Sequence, residues 1–91
     1  MMRSLVERYR MGMITDDHLV VESIHMLDPD DPGLVLSSLP DNVMVRVLRF
    51  ANEFVQGRVV TNYGVLPTQD QVLAAARWIE NTLRQKTGIS A

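Results

Sequence analysis

The sequence predicts a small all-α domain, on three kinds of observation. Side chains with helix-capping chemistry recur at Ser4, Thr15 and Thr68. Glycines stand where helices should stop, at Gly12 and Gly57. Between them, apolar residues repeat with the helical period. The chain reads as four helices, one short extra helical turn between the second and third, and an irregular or hairpin-like loop near residues 57–67. Its 91 residues fit a single helical domain, residues 1–91, with a small core.

The first segment runs from Ser4 to about Met11. Ser4 and Glu7 have the spacing of a capping box, and Met2, Leu5, Val6, Tyr9 and Met13 share one side. The second starts at Thr15, with Asp16 and Asp17 where the helix dipole favours anions and with Ile14 and Leu19 spaced as a hydrophobic staple. Val20, Ile24 and Leu27 form its inward face, and Pro29 forces it to end. Asp31 before Pro32 resembles an N-cap followed by proline at the first helical position, opening a short turn through Leu39. Pro40 and Asp41 repeat that device at the start of the third long helix. In the last helix Thr68 and Gln71 form another capping box, and Val72, Ala76, Ile79 and Leu83 make a narrow coiled-coil-like seam.

The third long helix is the most apolar. Val43, Met44, Val47, Leu48, Phe50, Ala51, Phe54 and Val55 fill an arc of roughly 160°, against the ~100° stripe an ordinary surface helix needs. Such a helix sits at the centre of the domain or carries a second apolar surface for a partner. We therefore take Val43, Met44, Val47, Phe50 and Phe54 as partner-binding candidates. Trp78 joins them, because it lies about 100° from the last helix's seam. A cover for Trp78 within the chain would come from Tyr63 and Val65 in the preceding loop.

Composition excludes several function classes. Nine basic residues against eleven acidic ones give a net charge of −2, the wrong sign for a protein that depends on phosphate contacts. With no cysteine there is no disulfide, thiolate zinc site or cysteine nucleophile. The opening residues lack an apolar signal core, and the longest apolar run covers only residues 72–76, so a soluble cytoplasmic protein without membrane association is expected.

Two patterns resemble ion sites. His18, Glu22 and His25 fall within about 60° on the second helix, and two imidazoles with a carboxylate are sound ligands for a divalent metal. Val20, Ile24 and Leu27 lie opposite, so the three are assigned to the solvated face and remain weak metal candidates. Residues 28–33 place Asp at positions one and three and Gly at position six, as in a calcium loop. Pro32 and Leu39 then stand where that loop needs an oxygen ligand and a bidentate glutamate. A rigid acidic turn is the better reading. The sequence contains no phosphate-binding glycine loop and no nucleophile elbow. The expectation is a non-catalytic protein-interaction or regulatory module without cofactor, associating with itself or with another protein. The alternative is a dimeric nucleic-acid-associated regulator using Arg46, Arg49 and Arg58, and the third reading is a small hydrolase or metal-dependent activity.

Overall fold

The computed structural model describes residues 4–59 and 66–86. Among them are five helices and no strand: α1 (Leu5–Arg10), α2 (Asp16–Met26), α3 (Gly33–Leu36), α4 (Asp41–Val55) and α5 (Gln69–Lys86). The extra helical turn is α3, shorter than expected. Most of the loop or hairpin near residues 57–67, with Tyr63 and Val65, lies outside the described residues.

Local chemistry sets the ends. The Ser4 hydroxyl accepts the Glu7 N–H at 3.1 Å, and Thr15 accepts the His18 N–H at 3.1 Å. Gly12 adopts φ 77° and Gly57 φ 73°, conformations that cost other residues steric strain. Each sits in a Schellman motif. The Gly12 and Met13 N–H groups donate to Tyr9 and Arg8 carbonyls, and those of Gly57 and Arg58 donate to Phe54 and Glu53. Pro32 has helical torsions, and its carbonyl accepts from Val35 and Leu36. Pro40 departs from the expected device. It is the N-cap of α4, with ψ 153°, and Asp41 is the first helical residue.

It is α2 that touches each of the other four helices, whereas α4 packs chiefly on α5 and α2. Leu19, Val20, Val21, Ser23, Ile24 and Leu27 are all at most 3% exposed. On a helical projection they occupy an arc of roughly 200°, twice what an amphipathic surface helix buries. His18, Glu22, His25 and Met26 hold the remainder. α4 buries a narrower arc, through Val43, Met44, Val47 and Ala51, and keeps Arg46 and Arg49 in solvent. In α5 the buried line runs through Val72, Ala75 and Ile79, with Ala76 and Leu83 half-buried at its edge. That shift turns Trp78 toward α3. Met13, expected to join the inner side of α1, is exposed instead.

Polar contacts fix how the helices meet. Gln71 and Thr68 complete a reciprocal capping box: the Gln71 N–H donates to the Thr68 hydroxyl at 3.2 Å, and the Thr68 N–H to Gln71 Oε1 at 2.9 Å. The other end of the same amide, Nε2, donates to the carbonyls of His25 at 2.8 Å and Leu27 at 3.1 Å. These are among the carbonyls a helix end leaves without partners. One side chain thus starts α5 and finishes α2. Arg46 reaches Asp16 on α2 at 3.0 Å, and Lys86 at the end of α5 reaches Asp41 at the start of α4 at 2.7 Å. Exposed pairs of this kind add at most about 1 kcal/mol each.

Gln71→Ala removes the side-chain half of a cap and two cross-helix hydrogen bonds. It should lower stability by about 1–3 kcal/mol in urea unfolding followed by circular dichroism. A loss under about 0.5 kcal/mol, typical of a neutral surface change, would show that the amide does not tie the two helices.

Candidate interaction surface

The partner-binding candidates separate into two groups. Val43 and Val47 are fully buried and Met44 is 2% exposed, covered by the chain's own α2 and α5. This corrects the expectation for those three: they belong to the internal core and leave no surface to offer. Phe50 and Phe54 lie half-buried against that core, their ring centroids 6.1 Å apart and the planes tilted by 32°. The large apolar residues α4 does leave exposed are Val45 and Val55, toward the other edge of its arc.

Trp78 has a cover that the sequence does not announce. Its ring lies against Gly33, so close that a Cβ there would stand 2.6 Å from the indole nitrogen. Around this contact is an open groove of about 230 Å³ lined by Pro29, Pro32, Ala74, Arg77, Trp78 and Asn81. One wall is the turn between α2 and α3, and the other is a face of α5. The turn is stiff for local reasons. Asp28 Oδ1 accepts the Asp30 N–H and the Asp28 carbonyl accepts the Asp31 N–H, both at 2.9 Å, and two prolines restrict the backbone. Asp28, Asp30 and Asp31 are all exposed on it.

The ion-site patterns do not assemble. His18 Nε2 lies 3.6 Å from Glu22 Oε1, a pair on successive turns of α2 that becomes an ion pair when the imidazole is protonated. His25 is exposed, and it is its backbone carbonyl that Gln71 engages. Among the described residues no group of three or more histidine, cysteine, aspartate or glutamate side chains is arranged to hold a metal ion. Asp28 in the acidic turn spends its carboxylate on its own backbone.

Two of the three arginines proposed to meet phosphates hold carboxylates instead. Arg46 pairs with Asp16 at 3.0 Å and stands 3.9 Å from Asp17. Arg58 grips Glu53 with two bonds, at 2.7 and 3.1 Å. Hydrogen bonding from Arg58 outweighs the opposing effect of desolvation and, with a smaller contribution from the Arg58 charge, holds the Glu53 carboxyl below its ordinary range. The Arg58 guanidinium is raised in turn, first by the same hydrogen bonds. A depressed carboxylate adds its stabilisation above the unfolded glutamate value and loses it as pH falls through the folded one.

Among the described residues no helix is long and apolar enough to cross a membrane. Comparison with protein-family models, with curated proteins and with solved structures finds no match in any of the three.

Gly33→Ala forces a methyl group into the indole ring and should cost about 1–3 kcal/mol, as overpacking does, read from urea unfolding. Wild-type stability in that variant would mean that Trp78 is not held against α3. Replacing both His18 and His25 by alanine should change stability by no more than about 0.5 kcal/mol, and added zinc should leave the melting temperature where it is. A zinc-dependent rise in Tm that disappears in the double variant would instead assign the two imidazoles to a metal.

Proposed function

We propose that this chain is a small non-catalytic protein-interaction module that associates with itself. The observation that carries the reading is Trp78, half-buried at the floor of an open groove with prolines on one wall and α5 on the other. Tryptophan gives large contact area for little conformational entropy and is enriched among residues that dominate binding energy. The groove sits on rigid elements, so little ordering is needed on association. Its lining of proline, alanine, tryptophan, arginine and asparagine offers packing and hydrogen bonding rather than a nucleophile with its base, which supports the non-catalytic part.

The nucleic-acid reading gains less support. Arg46 and Arg58 would have to leave carboxylates before meeting phosphates, and the net charge is −2.

Sedimentation of the unmodified chain from low to high micromolar concentration tests the reading. The sedimentation coefficient should rise with concentration toward that of a dimer. A single monomeric species at high micromolar concentration would refute self-association.

A further inference from the structure

We propose that Met11, Met13 and Met26 are surface sites of reversible oxidation by peroxide, set outside a core that shields Met44. Nothing in this requires the chain to associate. The chain has six methionines and no cysteine, so thioethers are the only sulfur it offers an oxidant. Methionine is ordinarily among the residues most often buried. Here Met11 is 56% exposed, Met13 60% and Met26 58%, whereas Met44 is 2% exposed. The helices explain the difference. Met44 lies on the buried arc of α4 with Val43 and Val47, while Met26 ends α2 on its solvent strip beside His25. Met11 and Met13 flank Gly12 in the turn that closes α1.

The co-reactant is hydrogen peroxide. A sulfur lone pair attacks one peroxide oxygen, and an S–O bond forms as the O–O bond breaks. The departing hydroxide takes the proton of the transferred oxygen and leaves as water. Sulfur is oxidised by two electrons and peroxide reduced by two, giving a sulfoxide that thiol-driven reductases return to the thioether. Susceptibility follows access, so the three exposed sulfurs react first. The fold tolerates the product at these positions, because the added polar oxygen stays in water. The turn around Gly12 is held by backbone bonds, from the Met11 N–H to the Glu7 carbonyl and from the Met13 N–H to the Arg8 carbonyl, and these involve no sulfur. At Met44 the same oxygen would enter the apolar core, where a polar group without a partner is costly.

The test is a time course of the folded chain in dilute hydrogen peroxide, with each methionine followed separately by peptide mass spectrometry. Met11, Met13 and Met26 should gain oxygen at least about tenfold faster than Met44. Unfolding the chain in urea should bring Met44 to within about threefold of the other three, because access then no longer differs. The folded chain carrying the three sulfoxides should keep its helical circular dichroism and a Tm within about 4 °C of the parent, as surface changes do. The two sulfoxide reductases of opposite stereospecificity, supplied with dithiothreitol, should then restore all three thioethers without denaturant. Met44 keeping pace with the others in the folded chain, or staying slow in urea, would overturn the shielding. Any of the three reacting as slowly as Met44 would overturn its assignment. A larger fall in Tm, or sulfoxides that the reductases cannot repair in the folded chain, would overturn their placement outside the core.

Discussion

Everything else in this fold is arranged around a helix with very little circumference to spare. α2 buries an arc of roughly 200°, so it cannot lie on the surface of a layer and must be enclosed. A chain of 91 residues has few elements with which to do so. All four of the other described helices touch α2. Burying side chains the size of Leu19 or Ile24 is worth about 1.5–3 kcal/mol apiece, which exceeds anything the exposed ion pairs supply. The polar contacts act on geometry more than on net stability. Gln71 sets where the end of α2 meets the start of α5, and Arg46 sets where its beginning meets α4.

The helix ends were legible in the sequence because they are decided locally. Ser4, Thr15, Thr68, Gly12 and Gly57 act through neighbours a few residues away, and each behaves as its chemistry requires. The enclosure of α2 was not legible, for an equally physical reason. α4 attracts attention because its apolar residues lie on one side, with Arg46 and Arg49 marking the other. The apolar residues of α2 are spread around it, so they give no clear stripe, and a helix without one reads as unremarkable when it is in fact enclosed. Val21 and Ser23, both buried, were the available clue: they fall outside the face drawn through Val20, Ile24 and Leu27.

The candidate surface was half legible. Trp78 stood out by its displacement from the seam of α5, and residues 28–33 were recognisable as a rigid acidic turn. That the two meet was not readable, because the contact joins residues about half the chain apart and depends on the buried line of α5 running through Ala75 rather than Ala76. Gly33 looked like turn punctuation. Its other role, leaving room for an indole ring, belongs to tertiary structure and has no local signature. Val43, Met44 and Val47 failed as partner residues through the same limitation, since the number of helices covering a face is not encoded in that face.

The seating of Trp78 on Gly33 also has an optical consequence. The chain contains a single tryptophan, so the indole emission of the whole protein originates at the junction of α3, α5 and the acidic turn. Far-ultraviolet signals average over the whole backbone, whereas this fluorophore senses only the polarity and quenching environment of that junction. The molecule therefore carries a built-in local probe at the one place where its shortest helix meets its longest.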